Sequence, residues 1–284
     1  MSKISDLFSP RCVHRHTAAE HPKCFIKGKP VSVKANVLPA VLVFDVETLP
    51  ILGFSWGVWN QDIHPAQIVN DWCILSYSAK WLGEDRIISD ILTPQEAVNR
   101  NDGRLVKDFW KLLDYASIVI THNGKRFDIK KLNTRFWHNK LHPTSSYKVI
   151  DTLVTAKAVF GMTYNKLDYI AKYQGLQQKL DTDMELWIAC HYGDKNALTK
   201  MREYNEQDVI IQEEVYRNMR EWIPNHPNFG NFNELGEVCP VCVEKHYSAI
   251  GLYHSNYSSL KYTEYRCKDC GAVWHDTKAV IKEN

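Results

Sequence analysis

No stretch of this sequence is apolar for long enough to cross a bilayer as a helix. The N-terminus also lacks the apolar run of a signal peptide. From both absences a cytoplasmic chain with reduced cysteines is expected. Net charge is close to zero, at +2, and no global field steers an anionic partner towards the protein. Internal repeats and low-complexity tracts are missing too. What is present is an ordinary globular composition, 44% hydrophobic and 24% charged. The 284 residues suffice for one sizeable domain plus a small module.

Charge is less even locally. Residues 1–36 carry Lys3, Arg11, Arg15, Lys23, Lys27, Lys29 and Lys34 against Asp6 and Glu20. Residues 125–148 carry Lys125, Arg126, Lys130, Lys131, Arg135, Lys140 and Lys148 against Asp128. Such clusters are usually solvated surface, but they also suit phosphate contacts.

The segment Val41-Leu-Val-Phe-Asp-Val-Glu-Thr-Leu-Pro50 reads as a short buried strand. Residues i and i+2 of a strand share a face, so Asp45 and Glu47 project together while Phe44 and Val46 turn inward. Two adjacent acids repel, and a divalent cation relieves that repulsion. Further strands are expected at Phe54–Trp59, Trp72–Lys80, Ser117–Thr121 and Val149–Thr152. The first three would form an antiparallel meander. Helical spacing covers 94–115, 125–139, a run ending at Phe160, 167–173, 183–190 and 197–219. That order gives an α/β domain with a mixed five-stranded sheet flanked by helices.

Two more acidic points follow. Thr121-His-Asn123-Gly124-Lys-Arg-Phe127-Asp128 leaves a strand and opens a helix, with Gly124 for a tight turn and Phe127 to anchor the helix on the sheet. An Asp in a first turn also complements the helix dipole without any metal. In Tyr204-Asn-Glu-Gln-Asp208 the first and last residues stand on one helical face, beside Val209, Ile211 and Val215. An inward Asp is costly unless paired or coordinated. Glu203, Glu206, Glu213 and Glu214 are expected on the solvent face.

Asp45-x-Glu47, Asn123-Gly-x-x-Phe127-Asp128 and Tyr204-x-x-x-Asp208 resemble, in order and spacing, the three motifs of the proofreading-exonuclease superfamily. Tyr at 204 places the resemblance in the tyrosine (DEDDy) subtype. It covers roughly residues 40–220. The flanking pattern also looks like small exonuclease-like proteins of phages, which would put the chain in a bacterial host cytoplasm. The resemblance implies a ribonuclease-H-like fold and 3′–5′ hydrolysis of DNA or RNA, at single-stranded 3′ ends, to nucleoside 5′-monophosphates. It implies that Asp45, Glu47, Asp128 and Asp208 hold two Mg²⁺ or Mn²⁺ ions about 3.5–4 Å apart. Tyr204 would orient the attacking water. Asn123, Lys125, Arg126, Lys130 and Lys131 are the candidate substrate contacts. Asp151 is either a fifth acid near the site or the start of a helix. The alternatives are a proofreading or processing subunit that docks on a polymerase or replication protein, and a nucleic-acid-binding protein whose nuclease site has lapsed.

Cys239-Pro-Val-Cys242 and Cys267-Lys-Asp-Cys270-Gly271 resemble a zinc ribbon, with one structural Zn²⁺. Tyr247, Tyr253, Tyr257, Tyr262, Tyr265 and Trp274 are many aromatics for so small a module, for packing or for stacking on bases. Near the N-terminus, Cys12, His16 (or His14), His21 and Cys24 are enough to enclose a second zinc; a flexible basic arm is the alternative. The expected organisation is an arm or knuckle at 1–36, an exonuclease domain at 37–223, a linker at 224–235 and a ribbon at 236–284.

Overall fold

The computed structural model describes residues 25–26, 29–30, 38–177, 182–232 and 236–280. Cys12, His14, His16, His21 and Cys24 lie outside the described residues. Two compact units are present, one of residues 40–217 and one that includes 218–284.

The described strands are β1 (Phe25–Ile26), β2 (Lys29–Pro30), β3 (Val41–Leu49), β4 (Leu52–Gly53), β5 (Ile68–Asn70), β6 (Cys73–Trp81), β7 (Ile87–Ile91), β8 (Ile118–Thr121), β9 (Lys148–Asp151), β10 (Tyr247–His254), β11 (Lys261–Cys267) and β12 (Val273–His275). The helices are α1 (Pro94–Val98), α2 (Gly103–Tyr115), α3 (Asp128–His138), α4 (Thr152–Val159), α5 (Leu167–Tyr173), α6 (Met184–His191) and α7 (Lys195–Met219).

The larger unit is built on a five-stranded sheet of order β7-β6-β3-β8-β9. β3 is antiparallel to β6 and parallel to β8, and β8 is parallel to β9. The sheet is therefore mixed, as the sequence predicts. Its membership differs in one strand. Phe54–Trp59 joins no sheet; the edge strand is β7, antiparallel to β6. The alternating large residues of 54–59 imitate a strand but are exposed, with Trp56 at 97% and Trp59 at 84%.

All four residues of β8 are buried, as befits a strand covered on both faces. In β3 burial alternates from Phe44 onward: Phe44 and Val46 are buried, Asp45 and Glu47 only partly. On one side of the sheet α2 buries Leu105, Phe109 and Leu112. The Phe109 ring lies 5.1 Å from those of both Phe44 and Tyr77. Full burial of such a ring contributes about 3 kcal/mol.

The helical spacing over 94–115 resolves into two helices. α1 starts on a Thr93–Glu96 capping box with Pro94 in its first turn. It ends where Arg100 takes a positive φ of 52°. Asp102, fully buried, then accepts the Ile74 N–H at 2.9 Å and pairs with Arg135 at 2.6 Å. That buried pair fastens the break between the helices to β6 and α3. α3 begins three residues later than expected, and Phe127 is 41% exposed, so Leu132 and Phe136 anchor the helix instead. Glu213, expected in solvent, is buried on α7 between Lys80 at 2.7 Å and Arg217 at 2.5 Å. Burial of that carboxylate is tolerable because two cations neutralise it. They hold its pKa below the usual range against the opposing effect of desolvation.

In the second unit β10, β11 and β12 form an antiparallel sheet in that order. Of the expected linker, Phe229–Phe232 form a 3-10 turn, and the Phe229 N–H donates to the Pro240 carbonyl at 2.8 Å.

Candidate active site

Asp45 and Glu47 sit on β3 and Asp208 on α7. One carboxylate oxygen from each of the three lies within 4.8 Å of the others. β3 carries a bulge between Glu47 and Thr48, beside this cluster. The Asp45 Oδ2 accepts from Asn205 Nδ2 at 2.6 Å, and Asn205 Oδ1 accepts from the Ser76 hydroxyl at 3.2 Å. Gln212, one turn beyond Asp208, donates to the carbonyls of Phe44 and Ile120 at 3.3 and 2.7 Å. These bonds set α7 against β3 and β8, and so set Asp208 against Asp45. Ser76, Asn205 and Gln212 are buried. Sequence reasoning passed over them, although Asn205 and Gln212 fall on the inward side of α7 with Met201, Val209 and Val215.

Asp128 reaches the same strand, where its Oδ1 accepts the Val46 N–H at 3.3 Å. Burial, before anything else, pushes its pKa from 3.8 up to about 7. Hydrogen bonds from its own N–H and that of Val46 oppose the rise, and the Asp151 charge adds to it. A nearby positive charge would favour the ionised form of such a carboxylate. Three converging oxygen donors and a fourth buried acid fit a hard divalent cation.

The turn before α3 is held by Asp151. Its carboxylate accepts the N–H groups of Asn123 at 2.9 Å and Lys125 at 3.1 Å. It also caps α4 through Leu153 and Val154, at 3.1 and 3.3 Å. Of the two readings of Asp151, the helix start is the one whose bonds are seen. Asn123 has a φ of 72°, and a Cβ on Gly124 would collide with the Thr121 side chain. His122, unremarked in the sequence, bridges Thr152 Oγ1 and the Asn165 carbonyl, both at 2.9 Å.

A cleft of about 1070 Å³ opens beside the acids, and Asp45, Asn123 and Tyr204 line it. Tyr204 packs edge-on against Trp187 of α6, with centroids 6.2 Å apart. Among the described residues, the lysines that line the cleft are Lys157, Lys166 and Lys172. Lys125, Arg126 and Lys130 are exposed and do not line it. Lys131 lies over the Trp72 ring at 3.7 Å.

Residues 82–220 match the family model of the RNase_H superfamily. The fold is ribonuclease-H-like. Asp128, Tyr204 and Asp208 fall inside the matched span, and Asp45 and Glu47 precede it. The chain is also similar to a family B DNA polymerase from the hyperthermophilic archaeon Pyrobaculum calidifontis. That match has 16% identity and a TM-score of 0.48, over 69% of this chain and 26% of the polymerase. The chain thus spans about a quarter of the polymerase's length. No curated protein matches the sequence.

Outside the ribonuclease-H-like unit, Cys239, Cys242, Cys267 and Cys270 bring their sulfurs within 4.8 Å of one another. The cluster fits zinc and is compatible with a zinc ribbon. Each Cys-x-x-Cys folds back on itself: Val243 N–H donates to Cys239 O at 3.0 Å, and Gly271 N–H to Cys267 O at 3.2 Å. Val243 and Gly271 both have positive φ, at 59° and 77°. Hydrogen bonds from Cys239 and then Cys242 hold the Cys270 thiol far below its ordinary range. The module's aromatics pack in two groups. Tyr247, Tyr265 and Trp274 contact one another, as do Tyr253, Tyr262 and His275. Tyr257 alone of the six aromatics is almost wholly exposed, at 98%. Among the described residues no helix is long and apolar enough to cross a membrane.

Proposed function

We propose that the ribonuclease-H-like unit is a divalent-metal-dependent 3′–5′ exonuclease. It would hydrolyse terminal phosphodiester bonds of DNA or RNA and release nucleoside 5′-monophosphates. The observation that carries this reading is the meeting of Asp45, Glu47 and Asp208, with Asp45 and Tyr204 lining one cleft.

Asp45, Glu47, Asp128 and Asp208 would hold two Mg²⁺ or Mn²⁺ ions. When bound, those ions supply an activated water and neutralise charge developing on the departing oxygen. Asn205 fixes the Asp45 carboxylate. The Tyr204 hydroxyl orients the attacking water by hydrogen bond. Lys157, Lys166 and Lys172 neutralise the phosphates of a strand lying in the cleft. Asp151 keeps the turn at Asn123 in place and takes no part in the chemistry.

The test is digestion of end-labelled single-stranded DNA and RNA oligonucleotides with Mg²⁺ or Mn²⁺. Wild-type protein should shorten them stepwise from the 3′ end. Asp208→Asn and Asp45→Ala should lower the rate by about 10³-fold or more, far beyond any loss of folded fraction. Wild-type rates in either variant would remove the mechanism. The same digestion decides between the two sugars.

A further inference from the structure

The segment between β4 and β5 has no place in the reaction just described. β4 pairs antiparallel with β5, and the hairpin continues as a built arm. The Phe54 N–H donates to the Gln67 carbonyl at 2.9 Å, and Gln67 Nε2 returns a bond to the Phe54 carbonyl at 3.0 Å. His64 and Gln67 close a capping box at the arm's return. A Cβ on Gly53 would come within 2.8 Å of the Gln67 carbonyl, so only glycine lets the two legs approach. The tip is turned and tied: Gln61 Nε2 donates to the Trp59 carbonyl at 2.9 Å, and Asn60 has a φ of 49°.

Beyond these bonds sit Trp56, Val58 and Trp59, with Phe54 at their base, each more than three-quarters exposed. No ionisable side chain occurs from Leu52 to Gln61. Contiguous exposed apolar surface of this kind marks a binding surface.

The feet of the arm show what it serves. Its first leg continues directly from β3, and Leu49 is two residues from Glu47, about 7 Å along a strand. Leu49 pairs with Cys73, the residue after the second foot. Arg100 holds both feet, donating to the Pro50 carbonyl at 3.0 Å and the Asp71 carbonyl at 3.4 Å. Lys131 covers the Trp72 ring at the second foot, and its helix begins with Asp128. The arm therefore stands on the strand end that presents the acidic cluster.

We propose that this arm is a stacking platform for unpaired bases of the strand whose 3′ end occupies the acidic site. The inference rests on the nuclease reading for its choice of occupant. Indole faces stack on any base, so the contact is tolerant of sequence and of sugar. The uncharged leg from Leu52 to Gln61 adds affinity that salt does not remove, in contrast to the cleft lysines. It also selects unpaired over paired strands, because bases inside a duplex offer no free face.

The test uses the full chain carrying Asp208→Asn, with Ca²⁺ present, so that binding is read without cleavage. Anisotropy of labelled oligothymidylate and oligouridylate reports affinity with and without Trp56→Ala/Trp59→Ala. The double substitution should raise Kd for both oligomers by about tenfold or more. The factor should be the same at about 50 and about 300 mM salt. Both rings are exposed, so the variant should melt with the parent, and blunt duplex should bind equally to both. An unchanged Kd overturns the proposal. So does a Trp-dependent self-association in sedimentation with oligomer affinity unmoved, which would assign the arm to a second copy of the chain. Trp-dependent binding by a wild type that never cleaves in Mg²⁺ or Mn²⁺ would sink the nuclease reading and leave the platform standing.

Discussion

A single methyl group is enough to test the turn at Asn123–Gly124. In Gly124→Ala the new Cβ enters the space of the Thr121 side chain, the last residue of a buried strand. Overpacking of that kind costs about 1–3 kcal/mol. The turn also carries Asn123 into the cleft and Asp128 to β3. The variant should melt several degrees lower and lose activity beyond its loss of folded fraction, as scanning calorimetry beside a cleavage assay would show. Asp128 gives the second prediction at this scale. Its folded pKa is raised to about 7 from 3.8, so the folded chain keeps a proton that the unfolded chain has released. Without metal, stability contributed by this group is complete below pH 3.8 and declines as pH rises towards 7. A bound divalent cation reverses the preference by favouring the carboxylate. Added Mg²⁺ or Mn²⁺ should therefore raise the melting temperature more at about pH 8 than at about pH 5.5. Asp128→Asn should abolish the difference.

At the scale of elements, α7 does more than present Asp208. Gln212 ties it to the carbonyls of two neighbouring strands, beside the apolar contacts of Val209, Ile211 and Val215. Gln212→Leu keeps the volume and removes the donor, stranding buried acceptors at a cost of about 1–3 kcal/mol. Urea denaturation should show that loss. Metal affinity should weaken as well, because Asp208 lies one turn away on the same helix. Glu203→Gln, on an exposed position of α7, should change neither. The acids of β3 and α7 were legible because their evidence is local: a period of two in a strand and a spacing of four in a helix. The arm was not, since Phe54, Trp56 and Val58 alternate as strand residues do while burying nothing. β7 escaped notice for the converse reason, being a short edge strand with only Ile88 buried. The cleft lysines come from α4, the loop before α5 and α5 itself, and no spacing in the chain announces that they converge.

Across the whole molecule, one donor set stands out in each unit. The carboxylates of Asp45, Glu47 and Asp208 meet in the ribonuclease-H-like unit, and four thiols meet in the other, where Glu244, His246 and Asp269 form a further, exposed group. The first set suits hard divalent cations and the second suits zinc. The smaller unit has a limited apolar core: Cys239, Val241, Cys267 and Ala272 are buried together, with Trp274 against them. In a module of that size, metal binding supplies much of the folding free energy. Four thiols at this separation also repel once ionised, which a zinc ion converts into coordination. Cys242→Ser should consequently lower the zinc content of the purified chain by one equivalent. It should also weaken the near-ultraviolet dichroism of the Tyr247, Tyr265 and Trp274 group, whose rings lie 5.2–5.7 Å apart. A zinc equivalent that persists in Cys242→Ser and disappears on deleting residues 1–36 would belong to Cys12, His16, His21 and Cys24. Unchanged zinc and dichroism in Cys242→Ser would show that the thiol cluster binds no metal.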